Sequence, residues 1–310
     1  MAGKFEGKFM DKVKAVLNEK GLAEGTVNLY MTKLIKLNGN KPFASLSFLK
    51  DFKKVREVLN AMENNNTRKS YITAIVSVLN NVGTSKEYKT INIMYKSLLE
   101  TEKLRQLKAN PHEKTEAQKE NWIDWTEVLK LHHEMEEKVS KFEVADMETP
   151  SKRKLMTDYM ILSLYVLTPP RRNLDYLLLK LDTNDKKEDE DSNYYNKKQK
   201  TFTFNVFKTK WKNGKEVVPC PLALCKVIDK FCELMNVNDD EYILFRDDEK
   251  RQGAQITKTL NRIFHKKIGA SMLRHFYDTH KYGSVLKEME EDAKMMSHSV
   301  AEQSNYVKYD

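Results

Sequence analysis

At 310 residues the chain has room for about two domains of ordinary size, and 40% hydrophobic with 32% charged residues excludes a disordered polypeptide. The longest apolar run, Tyr159 to Leu167, is too short to span a bilayer, and Met1 to Phe9 lacks the apolar stretch of a secretion signal, so a soluble intracellular protein with no membrane partner is expected. The formal net charge is +9 and lies early: residues 1–110 hold 20 Lys and Arg against 10 Asp and Glu, the remainder 34 against 35, which makes the first third a candidate phosphate-contacting surface.

Helical stripes fill that basic third. Val27, Tyr30, Leu34 and Leu37 recur at helical spacing, as do Phe48, Phe52, Val55, Leu59 and Met62. Thr67 reads as the N-cap of a helix carrying Tyr71, Ile75, Val78 and Leu79, and a further stripe runs through Ile91, Met94, Tyr95, Leu98 and Leu99. Four or five short helices predict a small helical domain over residues 1–110. Residues 108–120 are polar, contain Pro111 and show no apolar period, so 111–120 reads as a linker.

A second domain is expected over residues 121–310. It opens on Trp122, Ile123 and Trp125 and continues in a helix through Val128 and Leu131. Thr157 to Leu167 is apolar nearly all round, which predicts a buried helix stopped by Pro169-Pro170. Asn184 to Asn196, centred on Glu188-Asp189-Glu190-Asp191, reads as a solvated loop. Thr201 to Phe207 alternates and reads as a strand, Asn213-Gly214 as a hairpin turn, and Glu216 to Pro219 as the returning strand. The chain then reads as helices to its end. The fold class expected is mainly α, with a small inserted antiparallel β-sheet.

Some residue groups carry little chemistry. Cys220, Cys225 and Cys232 are odd in number and fit no zinc spacing, so they read as reduced thiols packed on a helix. His132-His133-Glu134 reads as a solvated helix face, since adjacent histidines point apart on a helix. Trp211 reads either as a DNA contact or as a cap on the small sheet.

Others form an ordered series. Arg172 follows the buried helix and Pro169-Pro170-Arg171. An arginine held at the end of a buried element offers a rigid fork to a phosphate, although one such residue is equally an ordinary surface charge. Lys208 and Lys210 lie at the hairpin. Ser271-Met272-Leu273-Arg274-His275 comes later, then Met296-Ser297-His298-Ser299, and finally Tyr306 in Asn305-Tyr306-Val307.

Arginine, hairpin lysine, Arg-His, His and a late tyrosine, in that order, resemble the tyrosine recombinases, or phage-integrase-type recombinases, over essentially the whole chain. The phrases Pro-Pro-Arg-Arg-Asn and Leu-Arg-His are most similar to members from large eukaryotic DNA viruses and related mobile elements. The resemblance implies a helical core-binding domain followed by an α+β catalytic domain. It implies catalytic roles for Arg172, Lys208, Ser271, Arg274, His298 and Tyr306, with Asp175 at the family's usual acidic position. Lys210 competes with Lys208, and Tyr309 with Tyr306. Two features depart from the family pattern. Ser271 stands where a histidine is usual, which removes a group able to take up a proton. The step from His298 to Tyr306 is one residue shorter than in bacterial members.

The chemistry so implied is strand cleavage and rejoining through a 3′-phosphotyrosyl link. The arginines neutralise the non-bridging oxygens, and a lysine protonates the leaving 5′-oxygen. Neither metal nor ATP is required. The implied partner is double-stranded DNA, with self-assembly from dimer to tetramer upon it, in a host nucleus or viral factory. Type IB topoisomerase activity and a catalytically impaired DNA-binding remnant stand as alternatives.

Overall fold

The computed structural model describes residues 2–108, 112–185, 189–246 and 253–308, and divides into two units, 1–113 and 114–310.

The first unit is helical: α1 (Ala2–Glu19), α2 (Glu24–Leu37), a 3-10 turn (Ser47–Leu49), α3 (Phe52–Asn60), α4 (Asn65–Asn81) and α5 (Lys86–Lys108). Helix α4 is central, with Ile72, Ile75 and Val78 wholly buried. Its cap is Asn64, whose side chain accepts from the Thr67 amide at 3.0 Å. The helix therefore starts earlier than the Thr67 cap predicted, because asparagine serves an N-cap at least as well as threonine. Gly83 allows the turn from α4 into α5, since a Cβ there would lie 2.8 Å from the Leu79 carbonyl and 2.9 Å from the Tyr88 Cβ. Tyr95 donates to the Leu49 carbonyl at 2.9 Å and anchors α5 on the 3-10 turn. Glu102 is 1% exposed and sits between Arg68 (3.2 Å) and Arg105 (2.7 Å). That buried pairing consumes part of the unit's positive charge. Most of the other lysines remain on the surface.

The second unit opens with α6 (Glu116–Asn121), α7 (Trp125–Val139), a 3-10 segment (Val144–Glu148), α8 (Pro150–Val166) and α9 (Asn173–Leu177). Half of the expected linker is thus helix. Thr115 and Gln118 close a reciprocal capping box that starts α6, a local signal stronger than the absence of apolar period. Helix α8 is the core of the unit, buried at every position from Asp158 to Tyr165. It packs against α7, against α11 (Leu222–Leu234) and against α12 (Gly253–Phe264). Cys225 and Cys232 are buried in α11, Cys220 is buried just before it, and all three are free thiols.

His132 corrects the solvated-face reading of α7. It is buried, with Nε2 2.9 Å from Ser163 Oγ and its ring stacked 5.1 Å from that of Tyr159, while His133 is exposed. Burial lowers its pKa from the ordinary 6.5, with Glu136 pulling weakly the other way. The unfolded chain therefore binds more protons at this ring than the folded one, and stability falls as the pH drops below about 6.5. Thermal unfolding followed from about pH 7.5 to about pH 5.5 should show this acid-side loss, and His132→Gln should reduce it.

The sheet is mixed, not antiparallel. Strands β1 (Leu179–Asp182), β2 (Asn193–Asn196), β3 (Thr201–Phe204) and β4 (Glu216–Pro219) lie in that order; β1 pairs with β2 in parallel, and the other neighbours are antiparallel. Part of the predicted solvated loop is therefore a central strand. Tyr194 and Tyr195 are both buried, and the flanking Asn193 and Asn196 are satisfied by internal hydrogen bonds. Glu188 lies outside the described residues. The β3–β4 connection is not a two-residue turn. It holds a single helical turn, α10 (Lys210–Asn213), closed by Gly214 at φ 72°. Trp211 on that turn is 85% exposed, so it does not cap the sheet.

The chain ends in α13 (Ala270–Met295) and α14 (Val300–Ser304). Among the described residues no helix is long and apolar enough to cross a membrane.

Candidate active site

Three segments distant in sequence converge beside the sheet. The stop at Pro169-Pro170 turns the chain out of α8, and Arg172 becomes the N-cap of α9 in an extended conformation (φ −78°, ψ 153°). Arg274 lies one turn into α13, half-buried, and its Nε donates to the Pro170 carbonyl at 3.1 Å. The start of α13 is thereby fixed to the loop that carries Arg172. Both arginines line one cleft of about 330 Å³, together with Asp175, Phe207, Thr209 and Glu216.

Arg171 organises that cleft. Its Nε bonds Asp175 at 2.9 Å, its Nη2 bonds Glu216 at 2.9 Å, and its guanidinium stacks 3.8 Å from the Phe204 ring centroid. The rigid fork expected at Arg172 is therefore found one residue earlier. Arg172 is exposed and forms no ion pair among the described residues, because its neighbour has taken both nearby carboxylates. Burial pushes the Asp175 carboxyl up, against the opposing pull of Arg171, Arg172 and Arg274, and its Oδ1 has no hydrogen-bond partner. Three cations face two carboxylates that are already committed to Arg171. The uncommitted charge of Arg172 and Arg274 suits an anion with several oxygens.

Asn193 ties together two of the segments that carry lining residues. Its amide donates to the Asp175 carbonyl (2.8 Å) and the Val206 carbonyl (3.0 Å), and its Oδ1 accepts from the amides of Asn205 (2.8 Å) and Val206 (2.7 Å). One buried side chain thus joins α9 to the segment leading into Phe207, Lys208 and Thr209. Phe207 and Thr209 both line the cleft, and Lys208 between them in sequence is exposed and has no ion pair among the described residues. Lys210 is held by Glu190 at 3.1 Å. Ser271 is exposed in the first turn of α13, where amide groups lacking helical partners add partial positive charge, and His275 is exposed beside Arg274.

Neither a family model, nor a curated protein, nor a solved structure matches this chain. The site therefore stands on its own geometry and on the residue pattern of the sequence.

Of the six predicted residues, Arg172 and Arg274 line the cleft, Lys208 and Ser271 each lie within three residues of a lining residue, and His298 and Tyr306 lie elsewhere. Helix α13 is continuous from Ala270 to Met295, so Ala293 lies about 28 Å beyond Arg274 along its axis, at about 1.5 Å per residue. The amide of His298 bonds the Ala293 carbonyl at 2.8 Å, and the tyrosine ring of Tyr306 stacks on the His298 imidazole at 5.6 Å and 13°. Tyr306 is 64% exposed, and His298 Nδ1 is buried with no hydrogen-bond partner among the described residues. The chain thus holds two clusters: Arg172, Ser271, Arg274 and Lys208 at one end of α13, His298 and Tyr306 at the other. Tyr309 lies outside the described residues. Among those described, no group of three or more His, Cys, Asp or Glu side chains gathers as a metal site would require.

Arg171 and Asn193 escaped the sequence reading. Arg171 is adjacent to Arg172 and indistinguishable from it by type or spacing. Asn193 lies in a polar, acidic stretch where nothing signals a buried amide.

Proposed function

We propose that this chain is a tyrosine-type site-specific recombinase or integrase, which breaks and rejoins duplex DNA through a 3′-phosphotyrosyl link to Tyr306. The observation that carries the reading is the meeting of Arg172 and Arg274 in one cleft, with the exposed Lys208 between two of its lining residues in sequence. Two guanidinium groups on a phosphodiester offset the charge that builds on its non-bridging oxygens as the fifth bond forms. A lysine at the rim donates a proton to the departing oxygen. Energy retained in the phosphotyrosyl bond makes rejoining independent of ATP. The origin that fits the residue pattern is a large DNA virus or a related mobile element, with assembly from dimer to tetramer on the DNA.

The deciding experiment offers the protein duplexes of randomised sequence, nicked so that a short fragment diffuses away after cleavage. A covalent protein–DNA adduct is expected, with the DNA on the peptide containing Tyr306. Binding without any adduct would favour a DNA-binding module that lacks catalysis. Relaxation of any supercoiled plasmid without sequence preference would favour a type IB topoisomerase.

The basic first unit is assigned to holding the duplex. A fragment of residues 1–113, which has its own hydrophobic core, is expected to bind DNA with an affinity that falls steeply with salt, since each phosphate contacted releases counterions. A flat dependence between about 50 mM and about 200 mM salt would remove this role.

A further inference from the structure

A second cleft, of about 690 Å³ and so within the ordinary size of a small-molecule site, opens beside the first turns of α8. None of the described residues that line it lines the arginine cleft. Its floor is apolar: Phe231 and Ile243 are buried, and Met235 and Phe245 are half-buried. Phe245 holds φ 49°, in the left-handed region that costs a bulky residue free energy, a kind of strain that gathers at ligand sites.

Four cations, Arg153, Lys154, Arg246 and Arg262, line the same cleft, against the single lining carboxylate of Glu148 among the described residues. Two of the four are committed. Arg262 pairs with Asp158, and Arg246 reaches Glu241 at 3.2 Å and the Asn236 carbonyl at 3.0 Å. Arg153 donates from Nε to the Met147 carbonyl at 2.8 Å, which leaves the outer edge of its guanidinium for a ligand. Neither Arg153 nor Lys154 has an ion pair among the described residues, and both are exposed. The two together suit an anion with several oxygens. The floor suits a flat apolar body, and half-buried Thr157 and Gln255 offer hydroxyl and amide groups to its polar edges. Inorganic phosphate would leave the floor uncovered. An acyl chain would leave the polar groups without partners, which is costly.

We infer that this cleft binds a nucleotide, with its phosphates on Arg153 and Lys154 and its base over Phe245 and Met235. The site is independent of the recombinase reading, and occupying it makes and breaks no bond.

Fluorescence anisotropy of methylanthraniloyl-ATP with the full chain tests this. Saturable binding is expected, displaced by unlabelled ATP and at least about tenfold less well by tripolyphosphate or by adenosine, since each competitor carries only half of the contacts. Lys154→Glu reverses one unpaired charge on an exposed side chain and should weaken ATP binding by about tenfold or more. Phe245→Gly removes the ring and suits the left-handed backbone, so it should weaken ATP by about tenfold and leave tripolyphosphate unchanged. Arg172→Ala should leave ATP binding as it is, because that arginine lines the other cleft. Equal displacement by tripolyphosphate would mean plain attraction of charge and overturn the nucleotide site. Loss of binding in Arg172→Ala would place the nucleotide in the arginine cleft and overturn it too. So would wild-type affinity in both Lys154→Glu and Phe245→Gly, or no binding up to about 1 mM ATP. Each of these outcomes is read without DNA, so failure here leaves the recombinase reading standing, and failure of covalent capture leaves this site standing.

Discussion

Tyr306→Phe is expected to abolish covalent capture of DNA while leaving binding within about twofold of wild type. The side chain is 64% exposed and its contact is the stacked His298 ring, which phenylalanine preserves, so the substitution removes only the hydroxyl. Loss of a covalent nucleophile is not compensated by neighbouring groups that merely stabilise charge, so the expected effect is at the detection limit of the assay, about four orders of magnitude or more. Gel-shift affinity measured beside adduct yield separates the two effects. Persistence of adducts in this variant, with their loss in Tyr309→Phe, would move the nucleophile three residues along the chain. A parallel loss of binding would instead mean that the Tyr306 hydroxyl contributes to holding the DNA.

The sequence disclosed the two helical units and the arginine cleft more readily than it disclosed the placement of the tyrosine, for reasons visible in particular residues. Apolar stripes in α2, α4 and α8 are long enough to outweigh local ambiguity, and the alternation in Thr201–Phe204 marks β3. Strand β2 escapes because Asn-Tyr-Tyr-Asn follows an acidic stretch, and its burial depends on amide hydrogen bonds to α9 and the sheet that have no local signature. Asn213-Gly214 suggests a tight hairpin, but Gly214 instead closes a helical turn that displaces Trp211 into solvent. Arg172 and Arg274 are recognisable by order, yet their meeting depends on the Pro170 carbonyl, which any residue could supply. The distance to Tyr306 follows from whether Gly283-Ser284 interrupts the helix. Glycine inside a helix costs only about 1 kcal/mol, so composition alone leaves both outcomes open, and in the structure α13 continues past this pair without interruption.

Lys208→Ala is expected to slow cleavage by about two to four orders of magnitude, the range for removal of a general acid. The residue is exposed between two cleft-lining residues in sequence, and unlike Lys210 it has no carboxylate partner among the described residues. Its ammonium is therefore free to approach a bound phosphate. A duplex with sulfur in place of the bridging 5′-oxygen should restore the rate, because a thiolate departs without being protonated. Arg172→Ala and Arg274→Ala should show no such rescue: the arginines act on the non-bridging oxygens, which the sulfur substrate leaves unchanged. The three variants thus separate proton donation from charge stabilisation within one cleft. If Lys210→Ala shows the rescue and Lys208→Ala does not, the acid is the lysine now paired with Glu190, and that ion pair must open before cleavage. If Lys208→Ala only weakens binding by a few-fold and sulfur restores nothing, the residue is a backbone contact and the proton comes from elsewhere. The arginine pair would then retain its role, since the Pro170 carbonyl ties Arg274 to the loop that carries Arg172 independently of the lysine.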